Sequence, residues 1–175
     1  MRSNATRTMP EIVFDTCVIS NFALAGGLGI LEALYRDKAR ITDVVSLEIL
    51  RGIQSGHARL ESIPKAIRAG WLREVRLRTG RERALFEGLS VSLGLGEASS
   101  LAVAKARGLV FASDDQAARA EAARLGVALT GTVGILLRAV RTGACDVRAA
   151  DGYLAGMMDA GFFSPVRSLR ELCKR

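Results

Sequence analysis

The sequence predicts an α/β fold in which helices cover both faces of a mostly parallel sheet. Short apolar segments typical of strands, such as residues 11–14 and 109–112, alternate with longer segments whose apolar residues recur at helical spacing. Hydrophobic residues make up 49% of the 175 residues, whereas aromatic residues make up only 5%. We therefore expect a sizeable core built mostly from Ala, Leu, Val and Ile, with the sheet buried between helices.

The elements are predicted in chain order from apolar periodicity and from the residues that interrupt it. The strands are short and apolar, at residues 11–14, 40–43, 71–75, 109–112 and 127–129. The helices are amphipathic, at residues 18–25, 28–38, 47–52, 57–68, 82–90, 97–106, 117–125, 133–141, 148–159 and 165–173. Ser46 and Thr79 are predicted as N-caps, because a hydroxyl can accept a hydrogen bond from a free N–H group of the first helical turn.

One domain is predicted over residues 11–175, preceded by a flexible N-terminal tail at residues 1–10. The tail is polar and has no apolar region of the kind that a secretory signal needs. The longest uncharged stretch, residues 16–31, is too short and too broken by glycine to span a bilayer.

Cysteine and histidine usage excludes several kinds of site. Cys17, Cys145 and Cys173 are too scattered for a zinc site, and their odd number argues against a disulfide framework, so a cytoplasmic location is expected. Cys17 is expected to be a small core residue, because no histidine base is near it in sequence. The only histidine, His57, excludes a catalytic histidine pair, and neither a GxxxxGK[ST] phosphate loop nor a GxSxG elbow occurs.

The net charge of +7 fits nucleic acid, an acidic protein or an anionic membrane surface as a partner. Basic residues are dense between residues 65 and 83. The candidates for contacts with a nucleic-acid backbone there are Arg73, Arg76, Arg78 and Arg81. The alternative is a solvated helix and strand edge. Trp71, in the same stretch, is expected to be buried rather than to stack on a base.

Acidic residues stand mostly at the ends of predicted elements, although only 18 residues are acidic. Asp15 follows the first strand, Glu97 begins a helix, and Asp114-Asp115 follows the fourth strand. Glu48 lies inside an apolar helical segment. Taken singly, each has a structural explanation as a turn residue, a cap, an exposed helical glutamate or a favourable charge at a helix start.

Taken together, these acids predict a site for a hard divalent cation. Ligands of an open α/β sheet bind outside the carboxyl ends of the strands, where Asp15 and Asp114-Asp115 are expected. Converging carboxylates repel one another unless a cation neutralises them, and Mg²⁺ prefers oxygen ligands. One or two such ions can activate water and clamp a phosphodiester, which fits a basic protein with a phosphate-bearing substrate.

The ordered set of motifs resembles the PIN-domain nucleases, more closely the toxin-type (VapC-like) and predicted nucleic-acid-binding branch. The segments that carry the resemblance are FDTCVISNFALAGGLGILEALY, ITDVVSLEILRG, LGLGEASSLAVAKARG and LVFASDDQAARAEAARLGVALTGTVGILLRAVRTG. They cover nearly everything from Glu11 to about Leu172. Two residues depart from the family's pattern, because Cys17 stands where Ser or Asn is usual and Glu97 where many relatives have Asp.

The resemblance implies a three-layer α/β/α sandwich and Mg²⁺- or Mn²⁺-dependent cleavage of single-stranded RNA. By it, the catalytic acids would be Asp15, Glu48, Glu97 and Asp115. The metal ligands would be Asp15, Glu97 and Asp115, with Asp114 as neighbour or substitute. The supporting hydroxyls would be Thr16 and Ser113. It also implies a homodimer and, for a toxin, a small antitoxin protein as partner.

The predicted function is therefore a metal-dependent endoribonuclease, as the toxin of a toxin–antitoxin pair. A PIN-like module that binds RNA through the same basic surface without catalysis is the alternative. An α/β receiver or phosphotransfer domain would also carry paired acids. Those domains place the pair after the first strand, however, whereas Asp114-Asp115 follows the fourth.

Overall fold

Five parallel strands form the sheet around which the chain folds. The computed structural model describes residues 9–173, and the strands follow the order β3-β2-β1-β4-β5. Their bounds are Ile12–Phe14 for β1, Ala39–Thr42 for β2, Leu72–Val75 for β3, Val110–Ala112 for β4 and Leu129–Thr130 for β5. All four strand pairings in this range are parallel, so the predicted α/β/α fold with a parallel central sheet is confirmed.

Helices cover both faces of this sheet. In the described range they are α1 Thr16–Leu24, α2 Leu28–Tyr35, α3 Asp43–Gln54, α4 Ser62–Arg68, α5 Gly80–Leu89, α6 Leu95–Arg107, α7 Gln116–Arg124, α8 Thr132–Thr142, α9 Val147–Asp159 and α10 Arg170–Cys173. Short 3₁₀ helices occupy Arg36–Lys38 and Ala58–Glu61. In β1, Ile12 and Phe14 join one buried apolar cluster and Val13 joins another, because successive side chains of a strand point to opposite faces.

The two N-cap predictions have opposite outcomes. Thr79 caps α5 as predicted: its hydroxyl accepts from the Glu82 N–H at 3.1 Å, and Glu82 Oε2 accepts from the Thr79 N–H at 3.1 Å, as in a capping box. The Ser46 prediction is wrong, because α3 begins at Asp43 and is capped by Thr42. The chain therefore passes from β2 into α3 without a loop, and α3 starts at the carboxyl edge of the sheet.

Two other helix predictions are wrong for local reasons. The segment 57–68 is a 3₁₀ turn followed by α4. Pro64 lies near the start of α4. Because proline has no N–H, it cannot donate the hydrogen bond that would join α4 to the preceding turn as one α-helix. The segment 165–173 is helical only in α10. Before α10, Asp151 of α9 accepts hydrogen bonds from the Ser168 hydroxyl at 2.8 Å and the Leu169 N–H at 2.6 Å.

The N-terminal tail predicted at residues 1–10 lies mostly outside the described residues. The carbonyl of Met9, the first described residue, accepts a hydrogen bond from Lys38 Nζ at 2.7 Å. Between residues 9 and 173, no single helix is long and apolar enough to cross a membrane. The segments Thr16–Leu24 and Leu28–Lys38 meet the length and composition only as a pair, with a 119° bend between them. Trp71 is buried, as predicted.

Candidate metal centre and adjoining cleft

The carboxyl edge of the sheet brings distant acidic segments together. Phe14 at the end of β1 is paired with Ala112 at the end of β4, so the residues that follow these strands lie side by side. The Asp15 N–H donates to the Ala112 carbonyl at 3.0 Å. The first half of α6 reaches the same edge, because the Ser100 hydroxyl donates to the Phe14 carbonyl at 3.2 Å.

Asp15 is fully buried at the centre of this edge, with 0% of its surface exposed. Its Oδ1 caps α1 by accepting from the Val18 N–H at 2.8 Å. Its Oδ2 has no hydrogen-bond partner among residues 9–173, and we call this atom the orphan oxygen. Burial raises the pKa of Asp15 to about 7; the Asp114 and Glu97 carboxylates act in the same direction, and the Ser113 side chain and the Val18 N–H oppose them.

Three potential metal ligands converge at this edge of the sheet. One donor atom each from Asp15, Cys17 and Glu97 lies within 4.8 Å of the other two. Glu97 comes from the first turn of α6, where the positive end of the helix dipole favours a carboxylate. Cys17 comes from the first turn of α1 and is exposed, so the prediction of a core residue is wrong: Val18 and Ile19 face the core, whereas Cys17 lines a surface cleft.

The pKa values of this group show mutual repulsion. Burial raises the pKa of Glu97, and the Glu48 and Asp115 carboxylates raise it further. Cys17 is exposed as a residue, but its thiol is partly buried, and this burial, together with the nearby carboxylates, raises the pKa of the thiol to about 12. The acids of all four sequence segments are therefore close enough to influence one another electrostatically.

Glu48 is held by hydrogen bonds from two other segments. Its Oε2 accepts from the Thr16 hydroxyl, and its Oε1 accepts from the Gly96 N–H at 3.0 Å. A Cβ atom at Gly96 would collide with the Glu48 carboxylate and would stand 2.6 Å from Thr16 Oγ1. Glycine at this position thus leaves room for the Glu48 carboxylate beside the start of α6.

Asp114 is also engaged by protein donors. Its Oδ1 accepts from the Thr132 N–H at 2.9 Å, and its Oδ2 accepts from the Thr132 hydroxyl at 2.5 Å and from Asn21 Nδ2 at 3.3 Å. A Cβ atom at Gly131 would stand 2.5 Å from Asp114 Oδ1. Asp114 therefore ties the ends of β4 and β5 to α1.

Asp115 is exposed and lies farther out. Its Oδ1 caps α7 by accepting from the Ala118 N–H at 2.8 Å. Its own N–H donates to Ser113 Oγ at 3.2 Å, and Ser113 is fully buried. Of the four predicted metal ligands, the structure thus brings Asp15 and Glu97 into one group with Cys17, with Asp114 and Asp115 around it.

The donor set fits a divalent cation. A buried carboxylate oxygen without a donor is unfavourable as an anion. A cation bound to Asp15 and Glu97 would satisfy the orphan oxygen and offset the burial, and the smaller repulsion, that raise both pKa values. Two carboxylates are enough for Mg²⁺, which keeps several of its own waters in protein sites.

A cleft of about 1140 Å³ opens next to this group. It runs from Thr16 and Cys17, past Asp114 and Asp115, to the loop after α9. In that loop the Phe163 side chain is 93% exposed. An aromatic ring held in solvent beside an acidic site is a surface on which a base could stack.

Arg119 of α7 supplies a positive charge to the same cleft. Its Nη1 donates to the Ser113 carbonyl at 2.8 Å and to the Thr130 carbonyl at 3.1 Å. Within residues 9–173, no carboxylate lies within 4.0 Å of its guanidinium. The charge is therefore positioned by neutral carbonyls and is not neutralised by an acid.

All four arginines predicted to bind RNA are exposed. Arg76 and Arg78 follow β3, and β3 ends at the same carboxyl edge as β1, two strands away. At the usual strand spacing this separation is about 10 Å. Arg73 lies on β3 and Arg81 in the first turn of α5. RNA binding by these side chains stays a prediction.

Several residues that shape the site were not predicted. Thr132 and Asn21 hold Asp114, and Gly96 leaves room for Glu48. The sequence offers a signal for Thr132, because it comes two residues after the fifth strand and so lies at the same edge as Asp15. The sequence offers no signal for Phe163. The loop after α9 reaches the cleft only because of the way α9 packs in the folded protein.

The architecture and its cluster of acids define the class. A parallel sheet with helices on both faces and acids at its carboxyl edge is the nuclease-type fold of PIN domains. A family model described as a PIN domain matches residues 11–175, and the chain belongs to this family. PIN domains are generally nucleases and typically use divalent metals. No curated protein matches the chain.

Proposed function

We propose that this protein is an endoribonuclease that cleaves single-stranded RNA with Mg²⁺ or Mn²⁺. The observation that carries the proposal is Asp15, fully buried with an orphan oxygen and grouped with the Glu97 carboxylate and with Cys17, which lines the adjoining cleft. A structural carboxylate would be surrounded by donors. Asp15 has a donor on Oδ1 only, and because the carboxylate also lies near other acids, it is suited to bind a cation.

Each acid has a distinct part in this proposal. Asp15 and Glu97 would hold the ion, with Asp115 and Asp114 as further ligands at its outer side. Glu48 fixes the approach of α6 through Gly96 and contributes negative charge next to Glu97. A bound divalent ion supplies Lewis-acid chemistry that activates water and neutralises phosphate charge.

The cleft suits a single strand. A phosphate at the acid cluster would lie near the Arg119 guanidinium, and an adjacent unstacked base could pack on Phe163. The exposed arginines Arg73, Arg76, Arg78 and Arg81 extend the positive surface along the sheet edge on the other side of β1. A net charge of +7 favours such a substrate.

We extend the proposal to a toxin that a small antitoxin protein inhibits, working as a homodimer in the cytoplasm. Exposed apolar side chains of Leu47 and Leu50 on α3 and of Leu95 on α6 offer a surface for a protein partner near Glu48. The three free thiols support a reducing compartment.

The alternative function is an RNA-binding PIN module without catalysis. One observation favours it: both carboxylate oxygens of Glu48 and of Asp114 already accept hydrogen bonds from protein donors. Part of the acid set is thus satisfied without an ion. Whether Asp15 and Glu97 bind an ion would then distinguish the two functions.

The test is Asp15→Asn rather than Asp15→Ala, since asparagine retains the N-cap of α1. Cleavage of single-stranded RNA with Mn²⁺ should fall at least a hundredfold, and calorimetry should show weakened Mn²⁺ binding. Asp146→Asn is the matched control, because Asp146 caps α9 in the same way, at 2.7 Å from the Ala149 N–H. Cleavage that survives EDTA contradicts the proposal. Salt-sensitive RNA binding without Mn²⁺ binding supports the alternative.

A further inference from the structure

We propose that Cys17 converts the Asp15–Glu97 site into a mixed carboxylate–thiolate site, which binds a soft divalent ion such as Zn²⁺ and is thereby closed to Mg²⁺ or Mn²⁺. The inference rests on the cation-binding part of the proposed function and not on RNA cleavage. Zinc would act as an inhibitor of the metal-dependent reaction.

The first observation is the position of the thiol. Its sulfur lies within 4.8 Å of a carboxylate oxygen of Asp15 and of Glu97. Tetrahedral Zn²⁺ holds sulfur at about 2.3 Å and carboxylate oxygen at about 2.0–2.2 Å, so its ligand atoms stand roughly 3.5 Å apart. A closing movement of about 1 Å suffices, and the exposed Cys17 side chain and the half-buried Glu97 side chain have the rotamer freedom to make it.

The second observation is independent of the cysteine. The orphan oxygen belongs to Asp15, a fully buried side chain of the same group, and it accepts no hydrogen bond among residues 9–173. Whether or not a thiol is present, its charge is compensated only when a proton or a cation binds it. The thiol then decides which cation is preferred.

The chemistry of the donor set determines that preference. Thiolate ligands select Zn²⁺ over Mg²⁺ and Mn²⁺, and Zn²⁺ generally binds a given protein site more tightly than Mn²⁺ does. On binding, the thiol proton is released to solvent and a zinc–sulfur bond forms, with no change of oxidation state. Serine or asparagine at position 17 would offer no such ligand.

The test uses Co²⁺ as a spectroscopic probe of the thiolate and Zn²⁺ as the competing ion. Metal-free wild-type protein titrated with Co²⁺ should develop a thiolate charge-transfer band in the near ultraviolet, and Zn²⁺ should abolish it. Cys17→Ser should lose the band, and its Zn²⁺ affinity should fall at least thirtyfold, whereas its Mn²⁺ affinity should change less than threefold. The double variant Cys145→Ser/Cys173→Ser, which removes the other free thiols, should retain the band.

The outcomes separate this inference from the proposed function. Absence of the band in wild type, or its persistence in Cys17→Ser, overturns the inference even if the protein cleaves RNA. A band that depends on Cys17 supports the inference even if no RNA substrate is cleaved. Equal Zn²⁺ affinity in wild type and Cys17→Ser also overturns it.

Discussion

Asp15 and Glu82 are both buried carboxylates at helix N-termini, yet they have opposite surroundings. Glu82 receives hydrogen bonds from Arg107 Nε at 2.8 Å and from the N–H groups of Arg78 at 2.5 Å and Thr79 at 3.1 Å. The Arg107 hydrogen bond, joined by those two N–H groups, lowers the pKa of Glu82 to about 2. Burial raises that of Asp15 to about 7.

The difference shows that burial alone does not define a functional acid. Glu82 has a donor for each oxygen and a cation beside it, so its charge stabilises the fold. Asp15 has one hydrogen-bond donor within 3.5 Å and an orphan oxygen, and the nearby Ser113 side chain offsets its burial only in part, so its charge opposes folding until something else neutralises it. The capping box around Glu82 is therefore complete as it stands, whereas the cluster around Asp15 is complete only with a ligand.

The largest expected effect is on the pH dependence of stability. The pKa of Asp15 is raised in the folded state, so its stabilising contribution is fully present below the unfolded value of 3.8 and is lost as pH rises through about 7. A shift of about three pKa units corresponds to about 4 kcal/mol. Urea unfolding in EDTA should show this fall in wild type and a much flatter profile in Asp15→Asn. Identical profiles would contradict the burial argument.

Glu82 should behave in the opposite way. Its lowered pKa stabilises the folded state above pH 4.5, and this contribution is lost as pH falls through about 2. Glu82→Gln should lower the free energy of unfolding at pH 7 by about 2–3 kcal/mol, less than for fully buried pairs because Arg107 is 28% exposed. Mn²⁺ affinity should be unchanged.

The matched control for this variant is Glu121→Gln, which removes an exposed ion pair with Arg124 of similar geometry. Its unfolding midpoint should equal that of wild type. If both glutamine variants unfold alike, the enclosure of Glu82 has no energetic significance.

A smaller effect is expected for Gly96→Ala. The new methyl group would collide with Glu48 and Thr16, and overpacking of this kind costs about 1–3 kcal/mol. Removing a glycine from a helix returns up to about 1 kcal/mol, so the net loss should be about 1–2 kcal/mol. Gly152→Ala in α9, where a Cβ meets nothing within 4 Å, should instead stabilise. Chemical denaturation of both variants checks the pair, and equal effects would refute the close approach of α3 to α6.

The smallest effect is expected for single arginines. Arg76→Ala or Arg78→Ala should weaken binding of single-stranded RNA a few-fold and reduce the salt slope by about 1, with no effect on Mn²⁺ affinity. Arg148→Ala is the control. Arg148 is exposed in the first turn of α9, and α9 begins beyond the end of α8 that lies away from the acids. Fluorescence anisotropy at several salt concentrations measures this, and equal losses in all three variants would indicate non-specific attraction only.

The sequence was sufficient for the order and type of most elements. Apolar strands and amphipathic helices have different periods, and parallel strands must end at one edge, so the gathering of Asp15 with Asp114 follows from topology. The start of α3 was misplaced because Thr42 and Ser46 can both cap a helix, and only the end of β2 decides between them.

The finer structure of the site could not be predicted because it depends on tertiary packing. Whether an acid has donors is decided by residues far away in the chain: Thr132 satisfies Asp114, and Arg107 satisfies Glu82, but no residue between 9 and 173 satisfies the orphan oxygen. The absence of a nearby histidine predicts a core residue at Cys17, whereas its position on α1 places it in the cleft.

A carboxyl ¹³C NMR titration of Asp15, with EDTA and again with saturating Mg²⁺, tests the central claim most directly. We predict a midpoint near pH 7 in EDTA and a clearly lower one with Mg²⁺, since a bound cation favours the ionised form. A midpoint near the ordinary aspartate value in EDTA, or one that Mg²⁺ does not move, would contradict the claim that this oxygen is a cation ligand.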